Sequence, residues 1–463
     1  MKLLAVPHSV DSFLSRKLSS SVFTWRMVGA LLLPLILDGL FSNLIALFAS
    51  AMVSQNGEAS VAAVSLVTPI CTVVTNITVC IVCGGGVVIV QCYGRGYSNR
   101  LNASIGMTLW IPLAACIASA LPMIAFPRQI LLMLYPDAEA IVLDKACVYL
   151  AWSAFSTIPF TLLSSALTIF RAIGKTNRAM ITNVISNLSH LLFSILFLNI
   201  MKLDILGCSL ALVAARLLGG GVAAVLLFVW KPTMKFKLCE MLVFDKNLFR
   251  SSMKTSIPYT VDMWIGSVSS IILNAYMIPL GTTALATHSI ANQLMVMLYA
   301  VPYATVTLSE ILVGRCLGAG KQEEAYTYGN RCVLLYMIIQ IFVSIVFFIL
   351  LPLLQQLFQT SAEVSATTTE LLLWSLPGLV ILFPLCNVYT ATIRAAGDST
   401  YITLVSGASL LLLNTGLGYL FAIVLDMGLV GVWIATWSNW LIRGLLLWRR
   451  FRSCVWLRHN LLK

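Results

Sequence analysis

PLILDGLF at residues 34–41 and PYTVDMWI at residues 258–265 decide the fold, because each places an aspartate four positions after a proline inside a long apolar run. These aspartates, Asp38 and Asp262, lie 224 positions apart. A carboxylate in the hydrocarbon core of a membrane costs at least ~2.5 kcal/mol, so membrane helices retain one mainly where it serves an ion or a substrate. We therefore predict that Asp38 and Asp262 are functional acids within a duplicated segment.

The composition identifies the class of protein. Of the 463 residues, 59% are hydrophobic and 10% are charged, and the mean hydropathy is +0.94. Water-soluble domains carry roughly 25% charged residues. The apolar segments that are long enough to cross a membrane core, which takes ~20 helical residues, are 26–53, 59–93, 101–126, 138–173, 178–200, 206–230, 251–280, 283–317, 327–352, 363–396, 399–424 and 429–448. We therefore predict an all-α integral membrane protein with twelve transmembrane helices.

The distribution of the 29 Lys and Arg residues predicts the orientation. With both termini inside, the outer connections hold only Arg128, Lys145 and Lys202, and Arg216 lies within a helix. Lys and Arg accumulate in cytoplasmic loops. The sequence thus predicts a multi-pass protein of the cell (inner) membrane with both termini cytoplasmic. Its net charge of +12 indicates attraction to the anionic lipids of the inner leaflet and gives no case for nucleic acid binding.

An internal repeat organises the chain. Residues 57–94 align without a gap on residues 281–318, and Gly207 matches Gly431 with the same offset of 224. Each half has six helices, an even number, so both halves enter the membrane in the same direction. Repeats of this kind are related by an axis along the membrane normal. We therefore predict two six-helix bundles with pseudo-two-fold symmetry along that normal.

The repeat also sets the predicted domain boundaries. They are a cytoplasmic or interfacial N-terminus at 1–25, an N-terminal bundle at 26–230, a cytoplasmic linker at 231–250, a C-terminal bundle at 251–452 and a cytoplasmic tail at 453–463. Bundles related in this way are typical of transporters that rock one repeat against the other to expose a site alternately on each side.

Three further ionisable residues lie inside apolar segments and are candidate site residues. Arg216 is a candidate either for binding an anionic substrate or for pairing with an acid inside the bundle. Glu310 is a candidate either for contacting a cation or for pairing with Arg315. His190 is a candidate either for an interhelical hydrogen bond or for a proton relay.

The repeat predicts different surroundings for the two aspartates. Counted along their helices, Asp38 and Arg216 both fall near the middle of a ~30 Å hydrocarbon core, which makes them a candidate pair. The repeat places Trp440 where the second half would need the matching arginine. Asp262 is therefore expected to have no equivalent cation.

Catalytic and cofactor motifs do not explain this sequence. The four histidines are too far apart to suggest a metal cluster or a nucleophile–base pair: they are His8, His190, His288 and His459. The twelve cysteines are scattered through apolar helices, apart from the single C-x-x-C of Cys80 and Cys83, and are expected to pack. We therefore predict no catalytic residue, no metal and no cofactor other than a coupling ion.

Short motifs across residues 26–452 resemble the signatures of the multidrug and toxic compound extrusion (MATE) family. In the first half they are Pro34, Gly57-Glu58-Ala59, Ala62-Ala63-Val64-Ser65 and Gln91-Cys92-Tyr93-Gly94. In the second half they are Ile257-Pro258, Gly281-Thr282, His288-Ser289-Ile290-Ala291, Val313 to Gly320 and Arg394-Ala395-Ala396-Gly397-Asp398. The resemblance implies export of cationic or amphipathic organic compounds in exchange for protons or sodium ions. Members of the family carry acids at three further positions, which correspond here to Ser50, Gly266 and Phe383. None of these three residues is acidic.

Three functional hypotheses follow from the sequence. The first is a secondary active multidrug efflux antiporter that works by alternating access, functions as a monomer in contact with membrane lipids and carries a small organic cation. Its coupling ion is H⁺ or Na⁺, and its site residues are the five ionisable groups named above. The second is a flippase of related fold for a lipid-linked saccharide, which a cleft richer in Arg and Lys would favour. The third, outside transport, is a membrane-embedded enzyme.

Overall fold

The computed structural model describes residues 21–53, 58–96, 98–136, 139–229, 238–357 and 362–459, which form helices joined by short turns. Helices in the first part of the chain are α1 Trp25–Val53, α2 Glu58–Arg95, α3 Ser98–Ala125, α4 Pro127–Leu134, α5 Ala140–Ala172, α6 Thr176–Ser194, α7 Asp204–Ala224, α8 Leu238–Met241 and α9 Lys246–Met277. Those in the second part are α10 Thr282–Ala300, α11 Ala304–Gly318, α12 Gln322–Leu357, α13 Ala362–Pro377, α14 Phe383–Ala396, α15 Ser399–Ser409, α16 Leu417–Tyr419 and α17 Gly428–Arg452. Most of the predicted N-terminal segment 1–25 and of the first half of the linker 231–250 lies outside the described residues.

Most of the described part of each of the twelve predicted apolar segments lies in these helices, which confirms the all-α fold. Within the described residues, nine helices are long and apolar enough to cross a membrane, and the pair α10 and α11, bent by 44° at the turn between them, makes a tenth. The helices α9 and α17 fall outside that set, because polar and charged side chains lower their mean hydropathy. Several spans continue from α-helix into wider π-helical turns, as α15 does at Leu410–Gly416.

Packing divides the described residues into two compact units. The C unit contains residues 21–39 and 261–459, and the N unit contains residues 40–260. The division therefore falls inside α1 and inside α9. The first turns of α1 belong to the C unit because Val28 and Leu31 pack in one apolar core with Leu294 of α10. The boundaries 26–230 and 251–452 stay a prediction, since they follow the repeat and not this packing.

The duplication predicted from the sequence reappears in the turns of the backbone. Gly96 and Gly320, which the repeat makes equivalent, have φ angles of +75° and +77°. Glycine adopts this left-handed conformation without a steric cost. Each of the two amides donates to a carbonyl three residues earlier, at 3.2 Å from Tyr93 and 3.1 Å from Leu317. The connections after α2 and α11 thus have the same geometry.

A second pair of equivalent glycines lets helices approach closely in each unit. A Cβ atom on Gly207 would lie 3.0 Å from the carbonyl oxygen of Phe197, and one on Gly431 would lie 2.8 Å from that of Phe421. All four residues keep the offset of 224. The two repeats therefore share not only their helices but also a close backbone contact between consecutive ones.

The described part of the linker is held against α3 in the N unit. The Asn102 side-chain amide donates to Glu240 Oε2 at 2.7 Å. One turn further along α3, a Cβ atom on Gly106 would lie only 1.9 Å from the carbonyl oxygen of Met241. The short helix α8 therefore packs directly against Gly106, and any larger side chain at position 106 would displace α8.

Candidate functional site

Both predicted acids are buried to the same degree. Asp38 and Asp262 each have 6% of their surface exposed, and both belong to the C unit. Neither side chain is turned to the outside of the protein. Charged groups buried in this way are retained where they are paired or take part in function.

Asp262 lies in a cluster of polar groups contributed by several helices of the C unit. Two positive charges act on its carboxylate, Arg443 on α17 and Arg394 on α14, and the hydroxyl of Ser406 on α15 lies beside it. Asp262 Oδ1, Ser406 Oγ and Arg443 Nε are nevertheless buried without a hydrogen-bond partner among the described residues. The cluster therefore has both charge and unsatisfied hydrogen-bonding capacity, a combination that native interiors tolerate mainly at functional sites.

The expectation that Asp262 has no neighbouring cation is wrong. The repeat correctly places Trp440 at the position equivalent to Arg216, but Arg443 follows three positions later on the same helix. Residues three apart lie on the same face of a helix. Arg443 therefore supplies a positive charge near Asp262 from one turn beyond Trp440. In the sequence, Arg443 stands shortly before the basic residues that end α17, as is typical of cytoplasmic charge. Only the packing of α17 against its neighbours shows that Arg443 acts on Asp262.

A hydrogen-bonded network extends the polar cluster along α9. Ser269, two turns beyond Asp262, accepts a hydrogen bond from Asn414 Nδ2 at 3.3 Å, and the Thr436 hydroxyl donates to Asn414 Oδ1 at 3.1 Å. Asn414 lies in the π-helical stretch Leu410–Gly416, and π-helical turns inside membrane helices often mark functional sites. Sequence reasoning missed this network because single polar residues in apolar helices are typical of ordinary helix–helix bonds.

Arg216 occupies a different environment in the N unit. Its Nη1 donates to Ser156 Oγ at 2.7 Å, and its guanidinium carbon lies 4.6 Å from the centre of the Phe160 ring. In the described part of the chain, a hydroxyl and an aromatic ring thus take the place of the acid partner that was predicted. Asp38 belongs to the other unit, so the proposed pairing of Asp38 with Arg216 stays a prediction.

Arg216 lines a cavity of about 300 Å³ inside the N unit. The other residues around the cavity are Thr68, Cys71, Thr72, Thr75, Asn76, Tyr149, Ser153 and Leu212. Most of these side chains are polar, which is unusual for a space between membrane helices. The sequence contains a signal for the cavity, because Thr68, Thr72 and Thr75 follow one another at helical spacing and form a polar stripe on one face of α2.

The structure separates the remaining candidates between the two units. His190 is half-buried on α6, close enough to Arg216 for their charges to interact. Glu310 is half-buried on α11 of the C unit, beside Ser309, whose hydroxyl lies 2.7 Å from that of Thr392. Arg216 and His190 are therefore neighbours, whereas Asp38, Asp262 and Glu310 all belong to the C unit.

The neighbours of His190 on α6 hold that helix to the second half of α1. The side-chain amides of Asn183 and Asn187 both donate to Ser42 Oγ, at 3.0 and 3.1 Å. These are interhelical bonds of the kind predicted for this polar stretch. The proton-relay interpretation of His190 stays a prediction.

Comparison with known sequences identifies the family. The sequence model of the MatE family matches this chain twice, at residues 34–196 and at residues 258–420. The two matches have the same length and are offset by 224 residues, the offset found from the acids and the glycines. Together they cover more than half of the chain. The chain therefore belongs to the MatE family, whose members are transporters and not enzymes, and it is a multi-pass membrane protein.

Individual relatives are similar along nearly their whole length. An uncharacterized transporter of Bacillus subtilis (strain 168), YisQ, is 25% identical, with 89% of this chain and 90% of the relative aligned. The probable multidrug resistance protein YoeA of the same organism is 24% identical over 93% of this chain and 94% of its own. A crystal structure of a MATE protein in the straight conformation superposes with a TM-score of 0.86, at 18% identity and with 93% and 96% of the two chains covered. That structural likeness shows the twelve-helix MATE fold.

Proposed function

We propose that the chain is a secondary active multidrug efflux antiporter, which exports cationic or amphipathic organic compounds in exchange for protons or sodium ions by alternating access. The observation that carries this proposal is the pair of equally buried carboxylates, Asp38 and Asp262, at positions that the duplication makes equivalent. A buried acid in a membrane is costly, and one retained twice in the same register supports a role in binding cations.

The chemistry of a buried carboxylate supports exchange. A proton, a sodium ion and an organic cation each neutralise the charge of Asp262, so binding of one weakens binding of another. Such mutual exclusion is a negative coupling free energy between ion and substrate, and it is reciprocal. Arg443 and Arg394 hold positive charge close to the carboxylate, which weakens the affinity for any cation and thereby favours release.

The relatives support the substrate class. YoeA is named a probable multidrug resistance protein, and another relative is the rabbit multidrug and toxin extrusion protein 1, which is 21% identical over 55% of this chain. The distribution of Lys and Arg supports a place in the cell (inner) membrane with both termini cytoplasmic. We infer that the protein acts as a monomer surrounded by lipid.

Reconstituted vesicles provide the test. Purified protein is incorporated with a fluorescent organic cation trapped inside, and efflux is started by a pH gradient or by a sodium gradient. We expect one of the two gradients to drive efflux. Asp38→Asn and Asp262→Asn keep the size of the side chain and remove its charge, and each should slow efflux about tenfold, within the roughly 5–150-fold range typical of coupling between sites.

Asp144→Asn is the matched control for these variants. Its side chain is 70% exposed and pairs only loosely with Arg128, at 3.8 Å, so its loss should leave efflux unchanged. Protein abundance in the vesicles is measured for every variant. Wild-type efflux rates in both Asp38→Asn and Asp262→Asn would rule out the proposed coupling role.

A further inference from the structure

The N unit contains a cavity that coupling through Asp38 and Asp262 does not use. The space of about 300 Å³ around Arg216 lies between α2, α5 and α7. Its volume is at the lower end of the roughly 300–1,000 Å³ range of small-molecule sites. Most of its lining side chains carry a polar group, and among the described residues around it Arg216 is the charged one. The size of the cavity and its single arginine suit a small ligand that carries a negative charge.

The charge of this cavity is positive. Arg216 is half-buried, and the ionisable groups close enough to act on it are Tyr149, Cys71, Cys116 and His190. None of these side chains is a carboxylate, whereas the guanidinium is always protonated. Within the described part of the N unit, the positive charge therefore has no carboxylate beside it. An anionic ligand group would supply the missing negative charge.

The guanidinium is also held in a fixed position. Ser156 Oγ accepts a hydrogen bond from Nη1 at 2.7 Å, and the Phe160 ring lies 4.6 Å from the guanidinium carbon. The side chain donates five N–H groups in a planar fork that matches a carboxylate in two parallel hydrogen bonds. Since the fork is immobilised before a ligand arrives, little conformational entropy is lost on binding.

The side of the cavity that α2 contributes accepts hydrogen bonds. The hydroxyls of Thr68, Thr72 and Thr75 donate to the backbone carbonyls four residues earlier, at 2.7, 2.8 and 2.8 Å. Their protons are thereby occupied, and their oxygen lone pairs are left for a donor. A ligand that fits both walls carries an acidic group at one end and hydrogen-bond donors or an apolar ring towards α2.

We propose that the cavity around Arg216 is a binding site for small amphipathic organic acids, whose carboxylate pairs with the Arg216 guanidinium. This goes beyond the proposed export of organic cations, because it adds a ligand class of opposite charge at a different place in the chain. The proposal rests on the geometry of the N unit alone and does not depend on which ion drives transport.

Equilibrium dialysis of the purified protein in lipid nanodiscs tests the proposal, with radiolabelled 2-naphthoate as the probe. The amide 2-naphthamide has nearly the same shape without the charge, and 2-naphthylmethylammonium carries the opposite charge. We expect wild-type protein to bind naphthoate at least tenfold more tightly than naphthamide, a difference of ~1.4 kcal/mol. Arg216→Gln should remove this preference.

Two further variants keep the test decisive. Arg128→Gln removes a 65% exposed arginine from the same unit and should leave naphthoate binding unchanged. Thr72→Phe retains the arginine but fills the cavity from an exposed position on α2, and it should abolish naphthoate binding even where Arg216→Gln fails to fold. Equal affinity for naphthoate and naphthamide, or unaltered naphthoate binding in Thr72→Phe, would overturn the proposal. Absence of gradient-driven cation efflux, in contrast, would count against the antiport alone.

Discussion

Removal of Arg443 should expose how strongly the C unit depends on charge neutralisation around Asp262. The carboxylate is 6% exposed and is acted on by Arg443 and Arg394. Breaking a buried ion pair by deleting one partner costs ~3–5 kcal/mol, since the other charge stays in a medium that cannot solvate it. Arg443 acts on Asp262 through its charge, without an ion pair between the two side chains in the described residues, and Arg394 remains. We therefore expect Arg443→Gln to lower the free energy of unfolding by about 1–2 kcal/mol, less than the loss of a buried ion-pair partner.

A double-mutant cycle isolates the interaction. Asp262→Asn alone leaves Arg443 without its carboxylate, whereas Asp262→Asn with Arg443→Gln removes both charges and leaves a neutral cluster. We expect the double variant to be more stable than the sum of the single losses implies, by ~1 kcal/mol or more. The free energy of unfolding is measured by titration with sodium dodecyl sulfate in mixed micelles, followed by tryptophan fluorescence.

Two outcomes would refute this reasoning. Losses that add within ~0.5 kcal/mol would show that the Asp262 carboxylate and the Arg443 guanidinium do not interact. A stable Arg443→Gln together with an unstable Arg443→Lys would show that the size of the side chain matters and its charge does not. Arg128→Gln, at an exposed site of the N unit, controls for the general effect of removing one positive charge.

Three glycine substitutions test the fold that positions the site. Gly106→Ala should destabilise the protein by ~1–3 kcal/mol through overpacking, because its Cβ would lie 1.9 Å from the Met241 carbonyl oxygen; Gly221→Ala, which meets no atom within 4 Å, should instead gain up to ~1 kcal/mol from helix propensity. Gly431→Ala should likewise lower the free energy of unfolding by ~1–3 kcal/mol, because three backbone atoms of Phe421 and Ala422 lie within 2.8 Å of the new Cβ. Thermal unfolding in detergent measures all three, and equal midpoints for Gly106→Ala and Gly221→Ala would contradict the contact.

The number and type of elements were predictable because a membrane imposes them. Every backbone amide in hydrocarbon must be bonded within its own segment, so each apolar run of sufficient length becomes a helix. The repeat was predictable for a related reason. Left-handed turns such as those at Gly96 and Gly320 and close contacts such as that at Gly431 favour glycine strongly, and they therefore leave a pattern of glycines in the sequence.

The boundaries of the packed units were not predictable in the same way. Hydropathy places α1 wholly in the first repeat, but Val28 and Leu31 in its first turns pack with Leu294 of the second. A long membrane helix is apolar on all sides, so its sequence does not reveal which neighbour each turn contacts. The linker could be located from its charges, whereas the docking of Met241 on Gly106 required the structure.

Glycines at close backbone contacts occupy equivalent positions in the two halves of the chain, whereas the buried arginines do not. The physical reason is the length of the arginine side chain. A glycine at a close contact has no substitute one turn away, because the contact belongs to the backbone itself. An arginine has a long flexible stem, so its guanidinium reaches a given point from either of two successive turns. Arg216 and Arg443 are displaced from each other by one turn in the repeat, and each meets a different environment: a hydroxyl and a ring for Arg216, a carboxylate for Arg443. Within the described residues, the two copies of the scaffold therefore differ in charge: the arginine of the C unit has a carboxylate nearby, whereas Arg216 of the N unit has a hydroxyl and a ring beside it and lines a cavity.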